Sequence, residues 1–297
     1  MFIKRLPQFE YHYPKSLPEL FSLMAKYGDK AKLLAGGTDL LVSMKKREIS
    51  PDHLINLKEI PELKGISFNE REGLRIGALT TIDEIEQSEI VKNRYQILWE
   101  AVSVMASPQI RTLGTIGGNL ASAIPSADTA PPLIALGASL TIKGISSERK
   151  CLVEEFFKGP GESVLKTDEI LTEIRIPVPP ERSAGTYLKM MRRNALDLAI
   201  VGVATFLKLD RDKKICEDVK IVLGAVAPTP IRAIRAEKLL IGKELNEAIA
   251  DEAGRIASEE SKPISDVRAS KEYRKTLVHV LTRRGLIKVN SMIRERS

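Results

Sequence analysis

The stretch Lys32-Leu-Leu-Ala-Gly-Gly-Thr-Asp-Leu40 places two glycines between a short apolar run and a segment with helical spacing. A second pair lies in Thr115-Ile-Gly-Gly-Asn119, within a region from 109 to 132 that is rich in Gly, Ser, Ala and Pro and nearly free of charge. Paired glycines admit positive φ and let a ligand approach the backbone. Successive N–H groups in such turns form a concave anion site, which a following helix strengthens. Two such turns together predict a binding site for two linked phosphates.

Each glycine turn alone is weak evidence, because a glycine pair between a strand and a helix is commonly just a tight connection. Neither turn has the GxGxxG spacing of a nicotinamide-binding Rossmann fold or the GxxxxGK[ST] spacing of a P-loop. The pair together indicates a dinucleotide pyrophosphate in a crevice between two units.

The chain around these turns divides into three parts. We expect one small α/β unit at 1–57, a second unit at 58–178 and a C-terminal domain at 179–297. The boundary falls at Pro177-Val-Pro-Pro180, because proline cannot donate to a strand ladder. The periodicity of the C-terminal domain predicts antiparallel strands and then helices. These strands span 184–191, 200–209 and 219–226, and the helices span 231–240, 245–257 and 271–293.

The composition is that of an ordinary globular chain of 297 residues, with 43% hydrophobic and 29% charged residues. Two distant cysteines, Cys151 and Cys216, exclude a cysteine-ligated iron–sulfur cluster, a four-cysteine zinc site and a disulfide scaffold within this chain. We interpret both as small buried hydrophobes that suit a reducing cytoplasm. His12, His53 and His279 form no HExxH or HxH pair, which argues against an all-protein transition-metal site. They have no partner in the sequence and are expected to be structural or exposed.

The formal net charge of +7 is compatible with an acidic partner or nucleic acid. Acids and bases alternate along most of the chain, however, and aromatic residues make up only 5%, which favours a solvated surface without nucleic-acid binding. The basic stretch from Arg268 to Arg296 is a candidate docking surface. No apolar run reaches the ~18–20 residues of a membrane span, and no apolar core follows the first seven residues as in a signal peptide. We therefore expect a cytoplasmic protein, either free in the cytoplasm or at the inner face of the membrane.

Residues 32–40 and 109–128 resemble the two flavin motifs of the FAD-binding medium subunit of molybdenum hydroxylases. That family includes the medium subunits of carbon monoxide dehydrogenase and aldehyde oxidoreductases and the central domain of xanthine dehydrogenase. The resemblance covers the whole chain and includes Glu169-Ile-Leu171 and Tyr187-Leu-Lys189. It implies an α+β chain: a two-subdomain FAD-binding fold of the vanillyl-alcohol oxidase (PCMH) type, followed by a small C-terminal domain of a three-stranded antiparallel sheet plus a helix bundle.

The resemblance also implies a non-covalent FAD site without catalytic or metal-ligating residues. The first motif would wrap the pyrophosphate and the adjoining ribityl and adenosine parts, and the second would cradle the other side. The implied cofactor-binding residues are Lys32, Leu33, Leu34, Ala35, Gly36, Gly37, Thr38, Asp39, Leu40, Met105, Ala106, Ile110, Gly114, Thr115, Gly117, Gly118, Asn119, Ser122, Asp128, Leu171 and Lys189. Two simpler interpretations remain open: Asp128 caps a helix that starts at Thr129, and Lys32 only packs its stem on a strand edge.

The sequence departs from some relatives. Met105 replaces an aromatic ring against the flavin, Thr38-Asp39 replaces His-Ser, and the four-cysteine loop of benzoyl-CoA-type subunits is lacking. We interpret Arg192-Arg193 as a solvated edge and Asp197 as a turn residue.

The function implied by the resemblance is electron transfer. FAD would take electrons from 2Fe-2S clusters on a small subunit, which receives them from a molybdopterin centre on a large subunit, and would pass them to NAD, a quinone or another acceptor. The complex would be a dimer of heterotrimers. Two alternatives are a stand-alone flavin oxidoreductase of the same fold and a non-enzymatic scaffold or nucleic-acid-binding module.

Overall fold

A small parallel sheet forms the first part of the chain. The computed structural model describes residues 5–193 and 196–295. The sheet has the order β1-β3-β2, with both outer strands parallel to β3. Its elements are β1 (Glu10–His12), α1 (Leu17–Tyr27), β2 (Ala31–Leu34), α2 (Leu40–Lys46) and β3 (His53–Asn56). Because β2 and β3 are parallel, their carboxyl ends lie at one edge of the sheet, where the first glycine turn begins.

Local sequence signals mark both ends of helix α1. The Ser16 hydroxyl accepts a hydrogen bond from the Glu19 N–H, and Gly28 ends the helix with φ of 50°. Leu20 and Met24 are buried on the inner face of α1 and belong to the same core cluster as Ile55 of β3.

The second part is built on an antiparallel sheet of order β4-β5-β10-β6-β7. Its central strand, β10, comes last in sequence. It pairs with β5 on one side and β6 on the other, and so joins the β4-β5 pair to the β6-β7 pair. The elements are β4 (Ile66–Asn69), β5 (Gly73–Gly77), α3 (Ile82–Glu86), α4 (Glu89–Arg94), α5 (Gln96–Ser103), α6 (Pro108–Arg111), α7 (Ile116–Ala121), α8 (Ala130–Ala135), β6 (Ser139–Lys143), β7 (Glu148–Leu152), β8 (Phe157–Gly159), β9 (Glu162–Ser163) and β10 (Ile170–Ile176).

The third part has a sheet of order β11-β12-β13-β14, antiparallel throughout. Its elements are β11 (Ser183–Met190), β12 (Val201–Leu209), β13 (Cys216–Gly224), β14 (Ile231–Arg232), α9 (Ile234–Leu240), α10 (Glu247–Glu260) and α11 (Lys271–Glu295). The sequence predicted three strands here and a helix from residue 231. The pairing of Ile231 with Leu223 adds a fourth strand, which is too short to show a two-residue period.

The C-terminal sheet is covered on both faces. Tyr187, Phe206 and Val222 share a hydrophobic core with helices of the second part, including Leu98 of α5. The opposite face shares a core with α10 and α11. Glu100 of α5 reinforces the first contact by accepting hydrogen bonds from Thr186 at 2.6 Å and from the Tyr187 N–H at 2.8 Å.

Within residues 5–193 and 196–295, the helices are too short or too polar for any of them to cross a membrane.

Candidate functional site: a cavity between two glycine turns

The first glycine turn leaves β2 and enters α2. Gly37 has φ of 79°, a conformation that L side chains rarely adopt. The backbone N–H groups of Gly36, Gly37 and Thr38 donate to no acceptor in the described part of the chain. These half-buried residues line a cavity, so their N–H groups are available to a ligand within it. Since backbone N–H groups are seldom left unpaired in folded proteins, three in succession indicate an anion-binding loop.

The second glycine turn is built differently. Thr115 caps α7 by accepting a hydrogen bond from the Gly118 N–H at 3.1 Å. The Ile116 and Gly117 N–H groups donate to the carbonyls of Thr80 and Ala78 at 3.0 and 2.8 Å. The sequence predicted free amide protons at both turns, and this was wrong for the first turn of α7.

The reason for glycine at position 117 is close packing. A Cβ at this position would lie 2.6 Å from the Cβ of Ala78 on the strand-end segment after β5. The second motif therefore packs α7 against the antiparallel sheet and forms part of the cavity wall. The unpaired backbone N–H groups belong to the first motif.

Side-chain contacts hold the two motifs together. The Ser122 hydroxyl, at the end of α7, lies 3.1 Å from the Asp39 carboxylate and 2.8 Å from the Gly118 carbonyl and shares its single proton between these two acceptors. A Cβ on Gly114 would lie 3.8 Å from the Thr38 hydroxyl. Residues that are about 80 positions apart in sequence thus form one wall.

The cavity has a volume of about 490 Å³, within the usual range for small-molecule and cofactor sites. Most of the residues predicted to bind the cofactor line it. They are Leu33, Ala35, Gly36, Gly37, Thr38, Asp39, Leu40, Met105, Ala106, Ile110, Gly114, Thr115, Gly117, Gly118, Asn119, Ser122, Asp128 and Leu171.

Three predicted residues do not line the cavity. Lys32 is exposed on β2, and Leu34 is buried in a separate core with Met44 and Leu54. Their side chains lie off the cavity wall because Leu33, between them, faces it and successive strand residues alternate. Lys189 reaches the site only through Asp128.

Sequence reasoning missed other parts of the lining. Leu57, Leu63, Leu79 and Ile82 resemble ordinary core positions, and their local pattern does not distinguish a cavity wall from a core. The remaining unpredicted residues lie beside predicted ones or in loops without periodicity: Ala78, Arg111, Ala121, Ile124, Ser126, Ala127, Leu165, Glu169, Ile170, Leu196, Asp197 and Leu198.

A buried charge cluster closes one side of the cavity. Asp128 accepts hydrogen bonds from the Lys189 ammonium and the Tyr187 hydroxyl, each at 2.8 Å. Burial raises the pKa of Asp128, while the Lys189 charge and both hydrogen bonds oppose that rise. Burial and the adjoining carboxylate raise the pKa of Tyr187 well above its usual value. The alternative that Asp128 caps α8 is wrong, because Thr129 occupies the cap position and makes no side-chain capping bond.

Three other charged side chains of the lining are also paired with an opposite charge, whereas the exposed Asp39 forms no ion pair within the described residues and accepts a hydrogen bond from Ser122. Glu169 accepts hydrogen bonds from Arg149 at 2.7 and 2.9 Å, and these bonds lower the pKa of its buried carboxyl to about 2. Arg111 bonds Glu86 at 2.8 Å. Asp197 accepts a hydrogen bond from the exposed Arg193 at 2.7 Å. Arg193 belongs to the Arg192-Arg193 edge that we expected to be solvated.

The pairing of the lining cation limits how the cavity can bind an anion. No lining cation among the described residues is left unpaired to attract an anion by itself. A negatively charged group would therefore be held by the free N–H groups of the first glycine turn.

The histidines, which showed no partner in the sequence, all have one in the fold. His12 and His53 lie 3.2 Å apart, and His279 contacts Asp251 at 2.9 Å. Cys216 is buried, which raises the pKa of its thiol to about 12, and Cys151 is half-buried. Neither cysteine belongs to a group of potential metal ligands within the described residues.

The basic C-terminal stretch is less available for docking than its sequence indicates. Several of its cations are paired with acids of this chain: Arg268 and Arg274 with Asp266, Arg283 with Glu247, Lys288 with Glu100, and Arg294 with Glu244. Arg296 lies outside the described residues.

Comparisons with known proteins agree with this site. Residues 7–179 match the family described as "FAD binding domain in molybdopterin dehydrogenase", and residues 186–289 match "CO dehydrogenase flavoprotein C-terminal domain". The chain is 34% identical over 280 residues to the carbon monoxide dehydrogenase medium chain of Hydrogenophaga pseudoflava, covering 94% of this chain and 96% of that one. It is 33% identical over 275 residues to a putative xanthine dehydrogenase FAD-binding subunit of Escherichia coli, covering 92% and 93%.

A solved structure shows the same fold. The carbon monoxide dehydrogenase from Hydrogenophaga pseudoflava that lacks the Mo-pyranopterin moiety has a chain that superposes with a TM-score of 0.92 at 34% identity, covering 97% of this chain and 99% of that one. The predicted architecture, an FAD-binding domain followed by a C-terminal α+β domain, is confirmed. The chain therefore belongs to the family of FAD-binding medium subunits of molybdenum hydroxylases, which are oxidoreductases.

Proposed function

We propose that this chain holds FAD non-covalently in the cavity and serves as the electron-transferring subunit of a molybdenum-containing complex. FAD would receive electrons from 2Fe-2S clusters on a partner subunit and pass them to an external acceptor such as NAD or a quinone. The observation that carries the proposal is the set of unpaired N–H groups at Gly36, Gly37 and Thr38 on the wall of a cavity whose lining cation, Arg111, is paired with Glu86.

The first glycine turn is proposed to hold the FAD diphosphate. Its N–H groups can donate to phosphate oxygens, and the glycines leave the backbone accessible. On the opposite wall, the Asn119 carbonyl oxygen is occupied by the Thr129 hydroxyl at 2.6 Å, which fixes the amide plane and leaves the NH₂ group to donate. Thr115 and Ser122 place hydroxyls on the same wall.

The apolar part of the cavity is proposed to surround the ring system. Met105, Ala106, Ile110 and Leu171 line this part and would limit water access to the ring. Lys189, held by Asp128 and by the Val104 carbonyl, would set the electrostatic field at the ring edge without contacting the ring as a proton donor. When bound, FAD supplies the redox chemistry, and the protein supplies binding, orientation and electrostatics.

The source of electrons is proposed to be another chain. Within the described residues the two cysteines lie in different sheets, Cys151 on β7 and Cys216 on β13, so they cannot ligate a cluster together. The relatives named above are medium chains or FAD subunits of larger enzymes. We therefore propose partners that carry the 2Fe-2S clusters and the molybdopterin centre, in a dimer of heterotrimers. We also propose that the chain divides into two FAD-binding subdomains at 1–57 and 58–178 and a C-terminal domain at 179–297.

Purification of a tagged copy from its native host tests the proposal. We expect co-purifying large and small subunits, with molybdenum, iron and FAD in the complex, and reduction of the flavin by substrate only in that complex. A chain that purifies alone and turns over a substrate by itself would support a stand-alone flavin oxidoreductase. A colourless chain that binds nucleic acid in a salt-sensitive manner would support the non-enzymatic alternative.

A further inference from the structure

Glu10, His12 and His53 form a compact group outside the two glycine motifs. His12 Nε2 lies 3.2 Å from His53 Nδ1. The Glu10 carboxylate oxygen lies 3.3 Å from His53 Nδ1 and 3.9 Å from His12 Nε2. One potential ligand atom of each residue therefore lies within 4.8 Å of those of the other two.

The strand register explains this arrangement. Glu10 and His12 are two residues apart on β1 and so lie on the same face of the sheet. Glu10 is the register partner of His53 on the neighbouring parallel strand β3. Spacing along the sequence could not reveal the group, because 41 residues separate the two histidines and only the β1–β3 pairing unites them.

We propose that these three residues form a binding site for a divalent first-row transition metal of the zinc type. A point equidistant from the three ligand atoms lies about 2.0 Å from each, which is the usual length of a zinc–imidazole or zinc–carboxylate bond. Two imidazoles and one carboxylate are a donor set that suits zinc, and they leave a position for water.

The surroundings favour an open but ordered site. The histidine side chains are 18% and 15% exposed, whereas the Glu10 side chain is 71% exposed. Tyr27, the last residue of α1, stacks on His53 at 3.8 Å and on His12 at 4.8 Å between ring centroids. The two imidazoles are therefore held in place, and the exposed carboxylate leaves a path for the ion.

The site lies away from the cofactor cavity. The first glycine turn follows the carboxyl end of β2, whereas His53 is the first residue of the parallel strand β3. A bound ion would connect the three-residue edge strand β1 to β3. It would therefore stabilise the folded state by an amount that grows with the logarithm of the free ion concentration divided by Kd, without direct contact with the flavin.

Zinc titration of the tag-free purified chain, after treatment with a chelator, tests the proposal. We expect one Zn²⁺ per chain by calorimetry, a rise in melting temperature with Zn²⁺, and a Co²⁺ absorption spectrum typical of nitrogen and oxygen ligands. His279→Ala is the matched control, because it removes the one histidine outside the group and should leave zinc binding unchanged.

Variants within the group should weaken zinc binding at least tenfold and abolish the thermal shift. His12→Ala and His53→Ala remove ring ligands that also stack on Tyr27. Glu10→Gln changes only an exposed side chain and so tests the site without risk to folding. The proposal is overturned if the wild-type chain binds no zinc, or if all three variants bind it as the wild type does.

Discussion

Gly36 and Leu113 approach so closely that a Cβ on Gly36 would lie 2.2 Å from the Leu113 carbonyl oxygen and 2.9 Å from the α-carbon of Gly114. The glycine that opens the first turn thus lies against the backbone that leads into the second turn. This contact brings the first and second parts of the chain together at one wall of the cavity.

Gly36→Ala should disrupt this wall. Because the obstructing atoms belong to backbone, they cannot rotate away as a flexible side chain could, and overpacking of this kind costs about 1–3 kcal/mol or more. We expect lower stability to urea and a markedly lower ratio of flavin to protein in the absorption spectrum. Gly159→Ala is the control, because its nearest contact is the end of Glu162 at 3.8 Å. A normal flavin ratio in Gly36→Ala would contradict this packing.

Lys189→Met should destabilise the protein in a pH-dependent way. It leaves the buried Asp128 carboxyl without its cation, a loss of about 3–5 kcal/mol for a buried pair at neutral pH. Burial already raises the pKa of Asp128, and removal of Lys189 raises it further. A carboxyl whose pKa is raised on folding favours the protonated state. The loss of unfolding free energy should therefore be small below the pKa of Asp128 in the unfolded chain, about 4, and should grow as the pH rises through its pKa in the folded protein.

Urea unfolding at pH 4 and pH 7 measures this difference. The exposed Lys158→Met serves as a control and should change little at either pH. Adding Asp128→Asn to Lys189→Met should recover part of the lost stability, since no buried charge remains. An equal loss at both pH values would show that Lys189 acts by packing alone.

Glu169→Gln should flatten the acid limb of the stability curve. Hydrogen bonds from Arg149 lower the pKa of Glu169 to about 2, so the carboxylate contributes stability above its unfolded pKa of about 4.3. That contribution is lost as the pH falls towards 2. Arg149 is about a third exposed, and after allowance for solvent screening we expect the wild type to lose about 1–2 kcal/mol more than the variant between pH 7 and pH 3.

The control is Glu148→Gln, which removes a surface pair with Lys143 and should shift the curve by less than about 0.5 kcal/mol. Guanidinium or urea unfolding at several pH values provides the data. Parallel curves for the wild type and Glu169→Gln would mean that this carboxyl is not held ionised by Arg149.

Gly285→Ala should destabilise the C-terminal part, although helix propensity alone favours alanine by about 1 kcal/mol. A Cβ on Gly285 of α11 would lie 2.6 Å from the Thr205 hydroxyl on β12. That hydroxyl is buried and has no hydrogen-bond partner in the described residues. Close packing should outweigh propensity, at a cost of about 1–3 kcal/mol.

The double variant Gly285→Ala/Thr205→Ala separates the two effects. Removal of the hydroxyl makes room for the new methyl group, so the double variant should be more stable than the sum of the single changes predicts. Thermal unfolding of all four proteins completes the cycle. Additive changes would rule out the steric explanation.

Local signals in the sequence predicted local structure well. Thr81-Ile-Asp-Glu84 has the sequence pattern of a capping box, and the structure shows one, with the Thr81 N–H donating to Glu84 at 2.7 Å. The first glycine turn also lies where the pattern placed it, between a strand and a helix. The interacting groups of these features are only a few positions apart, so a short segment of the sequence contains all of them.

The failures involve distant partners. The Gly117 N–H is occupied by the Ala78 carbonyl, and Lys189 is held by Asp128, 61 residues away. The register of β1 against β3 likewise brings Glu10 to His53. Such pairings arise from tertiary packing, which a linear pattern of residue types does not encode.

The most direct measurement is a crystal or cryo-electron-microscopy structure of the FAD-loaded chain or complex. The account predicts diphosphate oxygens within about 2.7–3.2 Å of the backbone nitrogens of Gly36, Gly37 or Thr38. A diphosphate held elsewhere, with these three N–H groups facing only solvent, would contradict it.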